Sequence, residues 1–419
     1  MNRSRLEPLG VPGSDYELND SDAARHEPSA LDRWLVKQIT TRLGPSPVRI
    51  MLWDEADVPP REGGVHLRVL DRKALWQLLV NPDLHFGDLY SAGRIQIRGE
   101  LLTLMLEAYR YTTENPTVGA LLARGRKLAP DLSDSKRNIH HHYDIGNDFY
   151  KLWLDREALQ YTCAYFADAA MTIEQAQQAK MHHVCRKLML KPGERVVEAG
   201  GGWGGFALFM AKNYGVRVRS FNISKEQIAH SRAWAKQLRL DGLVEFVEDD
   251  YRNLTGTYDA FVSIGMLEHV GKGNYTELGA LMRRALTPEG RGLVHSIGRD
   301  KPAPMNAWID KRIFPGAYPP TLREMMDMFE PNGLSVLDVE NIRLHYAKTL
   351  EWWLQRYEEN VEAVRTMFDE TFVRAWRLYL VGSIAAFLAG KLQLFQVVYA
   401  RTGAKTVPWT RAHVYRDHP

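Results

Sequence analysis

Between Leu31 and Thr112 the apolar positions follow two different periods. "VRIML" (48–52) and "HLRVL" (66–70) are short aliphatic runs that predict strands, whereas "RKALWQLLV" (72–80) and "ELLTLMLEAYRYT" (100–112) repeat at helical spacing. Between them, "NPDLHFGDLYSAGRIQIRGE" (81–100) is dense in turn residues. The pattern predicts a small α+β domain over 31–122, behind a polar tail at 1–30 and ahead of a basic connector, "ARGRKLAPDLSDSKRN" (123–138). From Lys191 the rhythm changes. Strand candidates "RVVEA" (195–199), "VRVRSFN" (216–222), "VEFVE" (244–248), "YDAFVSI" (258–264) and "RGLVHSI" (291–297) alternate with helical stretches, and "LQLFQVVYA" (392–400) adds a late strand. Such alternation predicts an α/β fold: a doubly wound, largely parallel sheet with helices on both faces. The run "LYLVGSIAAFLAG" (378–390) is 13 residues long, too short to cross a bilayer, and reads as a buried helix.

The first of these strands runs into "GGGWGG" (200–205), five glycines in six positions. Glycine inside regular structure costs stability, so a cluster this dense implies close approach to the backbone. Gly200, Gly202 and Gly205 satisfy a dinucleotide fingerprint, while Glu198, Gly200, Gly202 and Gly204 satisfy an acid-x-G-x-G-x-G pattern. The dinucleotide fingerprint needs an acid about twenty residues on. Ser220-Phe221-Asn222 stands there instead, which favours the turn that wraps S-adenosylmethionine. The bland alternative is a tight turn for helix packing.

Composition narrows the rest. With 54 basic and 51 acidic residues, the net charge of +3 gives no case for nucleic-acid binding. Two cysteines make no disulfide framework and fit a reducing, cytoplasmic compartment. The first thirty residues carry six acids and no apolar run of signal type, and read as a disordered tail. "HHH" (140–142) does not make a metal site, because adjacent side chains cannot all face one ion and no second cluster completes it. Singly, Cys163 reads as a small buried hydrophobe, Glu268 as a helix cap and His295 as a core histidine.

Taken together, "HYDIGNDFYKLWLD" (142–155), "LQYTCAYF" (159–166), "GMLEHVG" (265–271), "LVHSIG" (293–298), "WIDKRIFPGAYPP" (308–320) and "LQLFQVVYAR" (392–401) resemble the cyclopropane-fatty-acyl-phospholipid synthase family and its mycolic-acid relatives. The resemblance implies a class I methyltransferase Rossmann-like catalytic domain over 139–419. The residues at 31–122 look like the extra domain of the bacterial synthases, with a lipid-associated or dimerisation role. It further implies methylene transfer from S-adenosylmethionine across a cis double bond of a phospholipid acyl chain, through a carbocation deprotonated by bound bicarbonate. The family's cofactor positions fall on Tyr161, Thr162, Glu198, Gly200, Gly202, Trp203, Gly204, Asn222, Ser224, Gln227, Asp250 and Tyr251. Its bicarbonate ligands fall on Cys163, Glu268, His295, Ile297 (through its backbone) and Tyr346. One departure is Glu198 with Gly200-Gly201-Gly202, where most relatives have Asp followed by G-C-G or G-S-G. A homodimer working on the inner face of a membrane is the implied setting. The basic residues Arg124, Arg126, Lys127, Lys136 and Arg137 are candidates for the bilayer contact. Alternative outcomes are a methylene- or methyl-branched chain, a small-molecule N-methyltransferase, or a non-catalytic lipid-binding protein.

Overall fold

The computed structural model describes residues 27–43, 46–55, 64–114 and 145–415. The tail up to residue 26, the connector at 123–138 with its basic cluster, and the histidines at 140–142 lie outside the described residues. The chain divides into two compact units. One comprises 1–127, 303–315 and 353–391, and the other 128–302, 316–352 and 392–419.

In the first unit, β1 (Val48–Met51) pairs in parallel with β2 (Val65–Val69), which pairs antiparallel with β3 (Ile95–Arg98). The stretch 81–100 is more ordered than its turn residues suggest. Asn81 caps a helix over Pro82–Ser91, its side chain accepting from the Leu84 amide at 3.3 Å, with Pro82 in the first turn. Asn at the cap and Pro at the first helical position start a helix rather than interrupt one. A boundary drawn along the sequence also misses the partner of these elements. Helix Glu370–Leu388, with most of its side chains buried, packs against helices Leu101–Glu114 and Pro82–Ser91. Arg374 donates to the carbonyls of Tyr90 (2.6 Å) and Ile95 (3.2 Å), and Arg312 holds Asp88 through two bonds of 3.0 and 2.9 Å. Burial of apolar area takes no account of chain order, so this late helix completes the early domain. It contains residues 378–388 of the run read as a buried helix. Among the described residues it is the one helix long and apolar enough to cross a membrane, and 72% of that apolar stretch is buried in the protein.

The second unit is built on a seven-stranded sheet of order β6-β5-β4-β7-β8-β10-β9. Its strands are β4 (Arg195–Ala199), β5 (Arg217–Asn222), β6 (Val244–Glu248), β7 (Tyr258–Ile264), β8 (Leu286–Gly298), β9 (Leu334–Asn341) and β10 (Gln393–Arg401). β4 to β8 are parallel, and β10 runs antiparallel between β8 and β9. Alternation along β4 sends Val196 to one apolar core and Val197 and Ala199 to the other, so both faces are covered. The chain winds from β4 outward to β6 and returns to the other side of β4 at β7. That reversal opens a crevice beyond the carboxyl ends of β4 and β7.

Helix Ile173–Lys187 packs beside the helix that follows β4 and carries site residues described below. Thr172 and Gln175 close its amino end in a reciprocal capping box. Thr172→Ala is expected to cost about 1 kcal/mol of unfolding free energy, measured by urea denaturation.

Candidate active site

A cavity opens at the ends of β4, β5 and β7, and the glycine turn forms its floor. Gly202 has φ of +52° and open space where a Cβ would project, so the ligand side of the turn is there. Gly201 has a different reason: a Cβ would overlap Ser220 Oγ and lie 3.0 Å from Glu198 Oε2. Ser220 donates from Oγ to Glu198 Oε2 at 2.6 Å, across the β4–β5 register pair Glu198 and Ser220. The serine that stands in place of a ribose-binding acid therefore serves the carboxylate of the glycine turn. The longer acid and the bare glycine at 201 belong together, because their atoms compete for one space. Burial pushes the Glu198 carboxyl up to about 7, against the Ser220 bond and the charge of Lys180.

Tyr161, Thr162, Glu198, Gly200, Gly202, Trp203, Asn222, Gln227, Asp250 and Tyr251 all line the cavity. Gly204 and Ser224 do not. They cap the helices Gly205–Tyr214 and Lys225–Gln237, Gly204 at φ +83° and Ser224 through a side chain that accepts from the Gln227 amide. Asn222 secures the turn by donating to the Gly202 carbonyl at 2.9 Å and to Gln227 Oε1 at 2.8 Å. Gln227 Nε2 is buried without a hydrogen-bond partner. Asp250 is held by its own neighbour, Arg252, through bonds of 2.8 and 2.6 Å. Helix Gly205–Tyr214 begins with no side-chain cap, which leaves its first amides to a ligand carboxylate.

None of the second set lines this cavity, although Cys163 and Glu268 directly adjoin residues that do. Residues 267–269 form one 3-10 turn after β7; His269 lines the cavity, while Glu268 Oε1 accepts the Ile297 amide at 2.7 Å. His295 precedes Ile297 by two residues within β8 itself, so its side chain shares the Ile297 face of the strand. Cys163 is fully buried and directly follows the cavity-lining Thr162. Tyr346 is buried on helix Arg343–Glu359, whose His345 and Thr349 accept the amides of Phe166 and Ala164. Two buried atoms in this set have no hydrogen-bond partner, Glu268 Oε2 and His295 Nε2. Burial raises the Glu268 carboxyl to about 7, against the Ile297 amide and the nearby Ser296 hydroxyl, and holds the His295 imidazole well below its ordinary value, so the ring is neutral. Gln396 donates from Nε2 toward His295 Nδ1 at 3.1 Å, which leaves the ring hydrogen on Nε2. One buried acceptor and one buried donor thus await a partner. A small anion bearing one hydroxyl, such as bicarbonate, carries the donor and the acceptors that two such atoms would need.

Four contributors are missed by reading residues alone. Gln396 faces inward from the apolar run of β10, and an amide set between Phe395 and Val397 was the available signal. His269, driven down to about 4 by burial, lines the cavity as a neutral ring. Gln177 and Lys180 lie buried on helix Ile173–Lys187 behind the 160–163 segment, and their helical spacing on an inward face was legible. Among the described residues no group of acids, histidines and cysteines could hold a metal ion.

The model of the mycolic acid cyclopropane synthetase family matches residues 131–397. A probable fatty acid methyltransferase of Pseudomonas putida is 34% identical over 88% of this chain and 96% of its own length. The cyclopropane-fatty-acyl-phospholipid synthase of Escherichia coli (strain K12) is 41% identical over 62% of this chain and 66% of its own. Among solved structures, the mycolic acid cyclopropane synthase CmaA1 complexed with SAH and CTAB is 28% identical, with a TM-score of 0.60 over 63% of this chain and 97% of that one.

Proposed function

The chain belongs to the mycolic acid cyclopropane synthetase family, and on that premise we propose that this S-adenosylmethionine-dependent methyltransferase is a cyclopropane-fatty-acyl-phospholipid synthase. The single observation that carries the finer reading is the pair of unpartnered buried atoms, Glu268 Oε2 and His295 Nε2, beside the cofactor cavity. Methylating an alkene leaves a carbocation on the acyl chain, which must lose a proton in a dry site, and a small-molecule amine acceptor would need no such pair. S-adenosylmethionine supplies an electrophilic methyl group and bicarbonate a base small enough to share the site with lipid.

In this chain the glycine turn, Asn222 and Gln227 would hold the cofactor, with Tyr161 and Trp203 closing the cavity wall. Cys163, Glu268, His295, the Ile297 backbone and Tyr346 would hold the anion. Glu268 Oε2 would take its hydroxyl hydrogen, and the Nε2 hydrogen of His295 would orient an oxygen. Their burial would keep water away from the reacting carbon. A cytoplasmic homodimer, peripherally bound to a bilayer with cis-unsaturated acyl chains, is the setting we propose. Flotation with anionic vesicles and sedimentation analysis test its two parts.

The second reading is a methylene- or methyl-branched product. It is favoured by the fatty acid methyltransferase that aligns along nearly its whole length. Incubation with S-adenosylmethionine and vesicles of a cis-monounsaturated phospholipid, followed by proton NMR of the recovered chains, separates them. Upfield ring protons are the expected result, and exocyclic vinyl protons would establish the branched-chain reading instead.

A further inference from the structure

Lys180 sits in helix Ile173–Lys187 with no solvent exposure at all, an unusual place for an ammonium group. Its Nζ donates to the side-chain oxygen of Gln160 and, at 3.0 Å, to Thr162 Oγ1. One turn earlier, Gln177 donates to the Thr162 carbonyl at 2.8 Å. The two side chains, three residues apart on one helical face, thus grip both the backbone and the side chains of 160–162. Leu159, Gln160, Tyr161 and Thr162 form one wall of the cofactor cavity, and the buried Cys163 follows them in the chain.

We propose that Lys180 is a positioning residue for the cofactor site: its ammonium group fixes the 160–163 wall, and its charge supports the ionised carboxylate of Glu198 across the cavity floor. The proposal rests on reading the cavity as an S-adenosylmethionine site. A neutral side chain of the same length would fill the space, but would neither satisfy two acceptors nor oppose the desolvation of Glu198. The groups that act on Lys180 are Asp155 and Cys163 from the preceding segment, Glu198 from β4 and Cys185 from its own helix, while Lys180 in turn acts on His295 of β8. Asp155 is itself buried and accepts the amides of Ala158 and Gln160, so an acid anchors each side of the lysine. Burial, partly offset by these acids, holds Lys180 at about 8. The group is therefore charged below that pH and loses its hold as pH rises through it.

The test is calorimetric titration of S-adenosylhomocysteine into the full-length protein from pH 6.5 to 9.5, using wild type, Lys180→Met and Lys180→Arg. The methionine variant is expected to bind about tenfold more weakly at pH 7, from loss of bonds to a charged donor. The arginine variant keeps its charge throughout, so the fall in affinity expected of wild type above pH about 8 should shrink in it. The ligand's own amine titrates equally against all three and drops out of the comparison. Wild-type affinity and an unchanged pH profile in Lys180→Met would overturn the proposal. Where circular dichroism shows that either variant has not folded, Thr162→Val decides: it removes one acceptor, and unweakened binding overturns the proposal. A wild type that binds no S-adenosylhomocysteine sinks the cofactor reading and this inference with it. Binding without lipid methylation sinks only the lipid reading.

Discussion

Glu268→Gln is expected to lower kcat by about 10²–10³-fold, the usual worth of a group that assists proton removal. Affinity for S-adenosylhomocysteine should be essentially unchanged. The substitution is close to isosteric, and its amide oxygen can still accept the Ile297 N–H that Oε1 now takes at 2.7 Å. What changes is the atom with no partner, Oε2, which becomes a donor where an acceptor is required. Lipid turnover and calorimetric titration on the same preparation check both halves. Full activity in the variant would show that the assignment of the base machinery is wrong.

The same substitution should move stability the other way. Burial raises Glu268 from its ordinary 4.5 to about 7. The folded protein therefore holds this proton more tightly than the unfolded chain, and stability is lost as pH rises from about 4.5 to about 7, then levels. A shift of this size corresponds to at most about 3 kcal/mol. Glu268→Gln removes the cost, so the variant should melt at a higher temperature than wild type at pH 8 and close to it near pH 4. A residue retained for the fold would lose stability when replaced. Opposite movement of kcat and Tm is the signature of one retained for chemistry. Wild-type kcat should rise with pH through about 7 as the carboxyl ionises.

Where apolar residues run together, the sequence is easy to read. β4, β7 and the end of β8 are largely apolar runs that each lead into or end on a glycine, and the alternation of strands with helices predicts the doubly wound sheet directly. β9 is not legible in the same way. It sits at the sheet edge beside β10 alone and, after the buried Leu334, mixes half-buried with exposed positions, so "LSVLDVEN" lacks the apolar density of a central strand. The pairing of helix Glu370–Leu388 with the early residues is a long-range contact that no local period encodes. In the site, motif residues were legible because chemistry restricts their type. The residues that hold them give weaker signals: Gln396 looks like one of two glutamines in a strand, and Lys180 like one of two lysines on a helix. Their function lies in what faces them, and that follows only from packing.

The glycine run shows this division within six residues, and it yields the other large effect. Read from sequence, all five glycines make room for a ligand. In the fold Gly205 makes room for the protein: a Cβ there would overlap the Ala158 carbonyl oxygen and lie 2.8 and 3.1 Å from that residue's C and Cα. These are backbone atoms and cannot rotate away. Ala158 is pinned from its other side by Asp155, which accepts its amide at 2.7 Å. Gly205→Ala should therefore cost about 3 kcal/mol, at the upper end for overpacking, although alanine suits a helix better than glycine. The strain has one outlet, displacement of 158–163, which is the cavity wall that Lys180 and Gln177 hold. Urea denaturation and S-adenosylhomocysteine titration should then fail together in Gly205→Ala. By contrast, Gly202→Ala meets open space and should weaken binding more than folding, since only its φ of +52° resists the new side chain. If Gly205→Ala folds and binds as wild type does, the close packing of Ala158 on this helix is not what positions the wall.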